Sequence, residues 1–134
     1  MGKHKSGTSK EIRIHRLEGE SNGLPDGYRI LIDSDWPRGV GGGGFPIDDW
    51  MPELGPTQWL FRMFGRDPAR WGTFRSRYRR QLQSQGRVKR LRDIAGIARR
   101  RPVTLITAAP RAGFNPAEVI REILLAEIGR PAAR

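Results

Sequence analysis

A buried strand and a polar turn follow one another in the segment Tyr28-Arg29-Ile30-Leu31-Ile32-Asp33-Ser34-Asp35-Trp36-Pro37-Arg38-Gly39-Val40. The apolar run before Asp33 is typical of a strand inside a sheet. Pro37 and the glycine-rich residues 39–44 cannot continue that strand, because proline lacks a ladder donor and glycine weakens pairing. We therefore expect Asp33 and Asp35 where the strand ends, a common position for functional groups in α/β proteins.

Two further segments read as strands. Residues 12–17 alternate apolar and polar side chains, and residues 103–108 form a compact apolar run that is typical of a central strand. The connection between 12–17 and 28–33 is short for a helical crossover, so these two strands are predicted to pair antiparallel. The longer connection from 28–33 to 103–108 predicts a parallel, right-handed crossover.

The remaining segments show helical signals, with apolar residues three and four apart and with caps at their ends. The aromatic residues in these segments are predicted to be core. The architecture predicted is α/β, with a small mostly parallel sheet and flanking helices in a three-layer-like single domain at 12–130 that follows a flexible basic arm at 1–11. The helical segments are a short turn at 47–51 and helices at 56–64, 67–82, 87–100 and 116–128.

Composition excludes several classes of function. The chain of 134 residues has no Cys, so it has neither a disulfide, nor a thiolate nucleophile, nor a sulfur-bound zinc site. Its two histidines, His4 and His15, argue against a histidine metal site, and we expect neither a metal nor a cofactor. No apolar stretch approaches the roughly 20 residues of a membrane span, so a soluble, cytoplasmic protein with no membrane partner is expected. The oligomeric state is left open.

The basic charge is concentrated in one part of the chain. The formal net charge is +11, and residues 66–101 contain thirteen Lys or Arg against only Asp67 and Asp93. Such a field attracts polyanions, as in nucleic-acid-binding proteins. The alternative is a solvated surface under codon bias, because Arg outnumbers Lys by 21 to 4. The amphipathic pattern makes the aromatic residues interior, so the base-stacking pattern of single-strand binders is not predicted.

Polar residues converge where the two parallel strands are predicted to end. An acid, cations and an amide at that edge could bind an unknown small anionic or polar ligand, in a site whose catalytic role is undefined. A structural alternative stays open, in which Asp33 accepts backbone hydrogen bonds and pairs with Arg38, and Asn115 only caps its helix. The candidate ligand-binding residues are Asp33, Asp35, Trp36, Arg38, Gly39, Thr107, Arg111 and Asn115. The nucleic-acid alternative uses Arg66, Arg70, Arg77, Arg80, Lys89, Arg92, Arg99 and Arg100.

Several of these segments resemble one protein family. The resemblance is carried by Ile14-His15-Arg16-Leu17, by the strand to Asp33 with Trp36-Pro37-Arg38-Gly39-Val40, by Asp49-Trp50, by Phe64-Gly65-Arg66-Asp67-Pro68-Ala69-Arg70-Trp71 with Phe74 and Tyr78, and by Val103-Thr104-Leu105. Together they resemble the bacterial YeaO-like family, catalogued as domain of unknown function 488, over residues 12–128. The resemblance implies a small cytoplasmic α/β protein of unassigned activity.

The chain departs from that family at polar positions. Ser34-Asp35 replaces a usual Arg-Leu, and Arg66 stands where the family has His. Asn115-Pro116-Ala117 replaces Asn-His-Ala, and Thr107 replaces a Tyr. Core positions persist while site positions change, which is the pattern of a catalytic site degraded under an intact fold.

Overall fold

The protein folds around a four-stranded sheet in which every observed pairing is parallel. A computed structural model describes residues 11–17, 27–37, 47–65, 67–109 and 115–130. The strands are β1 (Ile12–Arg16), β2 (Tyr28–Leu31), β3 (Asp49–Trp50) and β4 (Val103–Thr107), and they lie in the order β1-β4-β2-β3. Because the strands run the same way, their carboxyl ends meet at one edge.

Four helices complete the described part of the fold. They are α1 (Gln58–Phe64), α2 (Trp71–Gln81), α3 (Gln85–Ala98) and α4 (Pro116–Ile128), with short 3₁₀ turns at Pro52–Leu54 and Pro68–Arg70. Within these residues, no helix is both long and apolar enough to cross a bilayer.

The register sorts the strand residues between two covered faces. Ile30 lies opposite Leu105, and both belong to a core cluster that includes buried residues of all four helices. On the other face, Leu31 and Ile106 are also completely buried. Burial on both faces is the pattern of a parallel sheet. The predicted α/β class with a small parallel sheet is therefore confirmed.

The predicted pairing of the first two strands is wrong. β1 and β2 do not pair with each other; both pair with β4, in parallel. All five residues of β4 are buried, so this strand takes a central place between two neighbours. About eleven residues join β1 to β2, and an extended connection of that length reaches roughly 36 to 40 Å, enough to return along the sheet without a helix.

Strand β3 lies within residues 47–51, where a helical turn was expected. The backbone N–H of Asp48 donates to the carbonyl of Arg29 (2.8 Å), and that of Met51 donates to the carbonyl of Leu31 (2.9 Å). Pairing with β2 thus satisfies backbone groups that a single isolated turn would leave to solvent. The short segment adds β3 as the edge of the sheet.

Helix α1 also departs from prediction. It begins after Thr57, whose hydroxyl accepts a hydrogen bond from the Leu60 N–H, and it ends at Gly65 in the left-handed conformation. Leu60 and Phe64 are buried, but Trp59 and Phe61 are exposed, so the prediction that the aromatic residues of this segment are core is wrong for two of them. Helix α1 has only seven residues, about two turns, and α2 packs against one side of it. Some of its side chains, such as Trp59, therefore stay exposed.

Helix α2 fixes the segment that leads into α1. The buried hydroxyl of Tyr78 donates to the carbonyl of Leu54, and the Gln81 amide donates to the carbonyl of Gly55 (2.9 Å) and accepts from the Thr57 N–H (3.1 Å). These bonds satisfy backbone groups that have no partner in a helix or a sheet. The segment after β3 is thereby held against the core.

Gly27 makes a close approach that only glycine allows. Its φ is +82°, and a Cβ at this position would lie 2.2 Å from the Pro102 carbonyl oxygen. The same oxygen accepts the Tyr28 N–H (2.9 Å), which sets the start of β2 beside the start of β4. The register of the two central strands thus depends on the missing side chain.

We predict that Gly27→Ala lowers the free energy of unfolding by at least about 2 kcal/mol, because the side chain adds both a strained φ and a backbone clash. Gly72→Ala is the matched control, since a Cβ there meets nothing within 4 Å and lies in α2. It should be neutral or stabilise by up to about 1 kcal/mol. Urea denaturation measures both, and equal stabilities for the two variants would contradict the account of Gly27.

Candidate ligand site at the carboxyl ends of the strands

The Asp33 carboxyl group joins the ends of the two central strands. One oxygen accepts a hydrogen bond from the Thr107 hydroxyl and the other accepts one from the Ala108 N–H, each at 2.7 Å. The Ala109 N–H donates in turn to the Thr107 hydroxyl oxygen (3.1 Å). The structure thus brings together two residues that are 74 positions apart in the chain.

Burial raises the pKa of the half-buried Asp33 carboxyl above its ordinary value. The hydrogen bonds from Ala108 and Thr107 oppose that rise, whereas the nearby charge of Asp35 adds to it. A carboxyl with a raised pKa takes up a proton more readily than a surface carboxylate does. Each oxygen also keeps a second acceptor position beyond the bond that it already makes. Asp33 can therefore receive a donor group from a ligand.

Two exposed tryptophans lie beside Asp33. The Trp50 indole N–H donates to the Asp33 carbonyl oxygen (2.8 Å), which holds this ring at the strand end. Trp36 packs edge-on against it, with ring centroids 5.4 Å apart and planes at 77°. The side chains are 41% and 39% exposed for Trp36 and Trp50 respectively. They offer an apolar wall next to a polar group, a combination typical of small-molecule sites.

Hydrogen bonds from the side chains of Tyr78 and Ser34 hold the backbone around the candidate site. Burial raises the pKa of the Tyr78 hydroxyl well above its ordinary value, and the charge of Asp33 adds to the effect. Tyr78 therefore stays protonated and donates to the Leu54 carbonyl. The Ser34 hydroxyl donates to the Pro56 carbonyl (3.2 Å), which fixes the residue that follows Asp33. The start of the polar turn is thus anchored to the segment before α1.

The other residues predicted for the site have different outcomes. Asp35 is exposed next to Trp36, and Asn115 is buried at the start of α4. Asn115 occupies the N-cap position of α4, as predicted, but its side chain makes no capping hydrogen bond to the first turn. Pro116 occupies the first helical position, where its missing N–H leaves no backbone donor without a partner. Arg38, Gly39 and Arg111 lie outside the described residues.

Sequence analysis missed two contributors to the site. Trp50 was placed in a helical turn, and a strand of two residues has too little periodicity to be recognised. Tyr78 lies in the core, as its position in the apolar pattern predicts. Its hydrogen bond to the Leu54 carbonyl joins residues 24 positions apart, so no local pattern indicates it. Among the described residues, no group of three His, Cys, Asp or Glu side chains is arranged to hold a metal ion.

The basic helices divide into cations that have partners and cations that do not. Lys89 pairs with Asp93 (3.4 Å), Arg99 donates to the Glu127 carbonyl (3.2 Å), and Arg70 donates to the Met63 carbonyl (2.9 Å). Arg77 lies over the ring of Trp59, with its guanidinium carbon 5.5 Å from the centroid. Arg66 lies outside the described residues, and Arg80, Arg92 and Arg100 are exposed. Four of these eight cations therefore contact other groups of the protein.

The geometry defines a small parallel α/β protein with a polar cluster where its central strands end. Residues 11–133 match the family model described as "Inactive DUF488-N3 subclade". The uncharacterized protein YeaO of Escherichia coli K12 is 37% identical over 100 residues, which cover 74% of this chain and 84% of that protein. The chain therefore belongs to the YeaO-like DUF488 family, and the resemblance seen in its sequence is confirmed.

More distant relatives come from mycobacteria. The uncharacterized proteins Rv3073c of Mycobacterium tuberculosis H37Rv and Mb3100c of Mycobacterium bovis are each 29% identical over 113 residues, which cover 84% of this chain and 92% of theirs. No solved structure gives a significant match.

The raised pKa of Asp33 predicts a pH-dependent stability. The folded state binds this proton more tightly than the unfolded state, so the contribution is present below the ordinary value of 3.8 and is lost as the pH rises through the raised pKa. We predict that the stability of the wild type minus that of Asp33→Asn decreases over this window. Urea unfolding at a series of pH values measures the difference.

Asp35→Asn provides a second variant for the same measurement. It removes a charge that raises the Asp33 pKa in the folded state, so the loss of stability should end at a lower pH and be smaller. A difference that stays flat, or that grows with pH, would show that the Asp33 pKa is not raised.

Proposed function

We propose that the carboxyl ends of β2 and β4 form a binding site for a small anionic ligand that also carries hydroxyl or amino groups. The observation that carries this proposal is the half-buried Asp33 carboxyl beside two exposed tryptophans. Strand ends that meet at one edge of a parallel sheet are the usual location of ligands in α/β proteins.

Each residue has a role in this proposal. Asp33 accepts a hydrogen bond from a ligand donor, using the acceptor positions that Thr107 and Ala108 leave open. Trp36 and Trp50 cover an apolar part of the ligand. Arg38, five positions after Asp33, and Arg111, four positions after Thr107, supply the cations for an anionic group. Phosphate esters and hydroxy acids have this chemistry.

The proposed role is binding without turnover. The departures at Ser34-Asp35, Arg66 and Thr107 change polar groups that the family usually has, while the core pattern persists. The family model that the chain matches describes an inactive subclade, which is in keeping with such a loss. A binding site needs only complementary groups, whereas catalysis needs a reactive group placed for the transition state.

A structural role for Asp33 competes with this proposal. A carboxylate that accepts one hydrogen bond on each oxygen could serve only to fix the strand ends. The two roles differ at Arg38: in a ligand site it binds an anionic group, whereas in the structural role it pairs with Asp33 and stabilises the strand ends.

The test uses inorganic phosphate and ribose 5-phosphate as probes, with tryptophan fluorescence and calorimetry as readouts. We predict binding that Arg38→Ala weakens by about 10- to 100-fold, since a charge-assisted hydrogen bond contributes roughly 1.5 to 3 kcal/mol. Thermal unfolding of the variant should stay within a few degrees of the wild type.

Arg100→Ala is the matched control, because Arg100 is exposed at the end of α3 and should leave the affinity unchanged. Trp36→Phe should reduce the fluorescence response to the probe. Absence of binding by either probe to the wild type, or a large loss of stability in Arg38→Ala, would favour the structural role.

A further inference from the structure

Trp59 is the most exposed of the large apolar side chains in the described part of the chain. Its side chain is 58% exposed, although the neighbouring Leu60 is buried. The aromatic part of the core is formed by other residues: Phe64 stacks on Phe74 at 4.8 Å, and Phe74 contacts Tyr78 at 5.4 Å. The fold therefore does not need the Trp59 ring for its core, and the ring presents a flat apolar surface to solvent.

One arginine contacts this ring, and other arginines lie on the same two helices or at the turn between them. The Arg77 guanidinium of α2 lies over it at 5.5 Å, a cation–π contact that links α1 to α2. Arg62 follows Trp59 by one helical turn, and Arg80 follows Arg77 by one turn. The Arg70 guanidinium donates to the Met63 carbonyl, and its Nε lies 3.8 Å from the Asp67 carboxylate. We call Trp59, Arg62, Arg70, Arg77 and Arg80 the Trp59 patch.

The other two arginines of α2 share one carboxylate on the side of the helix that faces α4. Arg75 and Arg79 both contact the Glu122 carboxylate, at 2.7 and 3.4 Å. By contrast, no carboxylate of the described residues lies within ion-pair distance of Arg62, Arg77 or Arg80. The positive charge of α2 that is available to a partner thus lies on the side that carries Trp59.

We propose that the Trp59 patch binds single-stranded nucleic acid. An unpaired base can stack on the exposed indole, and the adjacent phosphates can contact the arginines. A duplex keeps its bases stacked inside and cannot offer a base face to the ring. An acidic peptide would match the charges but would leave the flat ring without a planar partner. This inference differs from the prediction that a base-stacking pattern is missing, and it does not depend on the ligand site at Asp33.

The test measures the binding of the full-length chain to a fluorescently labelled 15-residue oligothymidylate by anisotropy at low salt. Trp59→Ala should weaken binding by about 5- to 100-fold, the range that base stacking supplies. Trp59→Phe should restore part of the affinity, because a smaller aromatic ring still stacks. Circular dichroism should show both variants folded, since the ring lies outside the core.

Two double charge reversals of equal size distinguish binding at the Trp59 patch from non-specific attraction by the net positive charge. Arg77→Glu with Arg80→Glu should weaken binding more than tenfold and reduce its salt dependence. Arg92→Glu with Arg100→Glu, at exposed positions of α3 and its end, is the matched control and should cost less than threefold. Duplex of the same length should bind the wild type at least fivefold more weakly.

Four results would overturn the proposal. The first is Trp59→Ala binding like the wild type, and the second is equal loss of affinity in the two charge reversals, which would indicate a diffuse field alone. The third is competition by polyglutamate as effective as that by unlabelled oligothymidylate, which would assign the patch to an acidic protein partner. Duplex binding as tight as that of the single strand would likewise exclude stacking.

Discussion

The hydrogen bonds that the Asp33 carboxyl accepts at the end of β4 are the constraint on which the candidate site depends. Thr107 and Ala108 each supply a donor at 2.7 Å, so β2 and β4 end side by side and the polar turn after Asp33 begins at a fixed place. Trp50 adds a bond to the Asp33 carbonyl, which brings the edge strand β3 to the same place. A single residue thus joins three strands at the edge where ligands of parallel sheets bind.

Electrostatics divides the molecule into a part that supports the fold and a part that faces solvent. Distant ion pairs, such as Arg75 with Glu122 and Arg90 with Glu53 at 2.6 Å, connect α2 and α3 to other elements. Exposed pairs of this kind contribute little stability individually, up to about 1 kcal/mol. Their larger effect is on the surface field. Glu122 reduces the positive charge on the side of α2 that faces α4, whereas the charge of α2 on the side of Trp59 is not reduced by a carboxylate of the described residues. A basic composition therefore becomes a localised patch.

Local patterns predicted much of the fold, whereas long-range packing decided the rest. The apolar runs before Asp33 and at β4 identified the central strands, and the parallel rule then placed Asp33 near Thr107. The local sequence does not show which strands are neighbours in the sheet. β4 lies between β1 and β2, and its position between two neighbours goes with the burial of all five of its residues. The exposure of Trp59 could not be predicted from the local sequence either, since it depends on which side of the short helix α1 packs against α2.

A double-mutant cycle between Asp33→Ala and Thr107→Val tests the link between the strand ends most directly. Stabilities of the wild type, both single variants and the double variant give the coupling free energy between the carboxyl and the hydroxyl. The account predicts a favourable coupling of about 1 to 3 kcal/mol, as expected for a hydrogen bond to a charged group. Single effects that add to within about 0.5 kcal/mol would contradict it, because two side chains that do not touch show no such coupling.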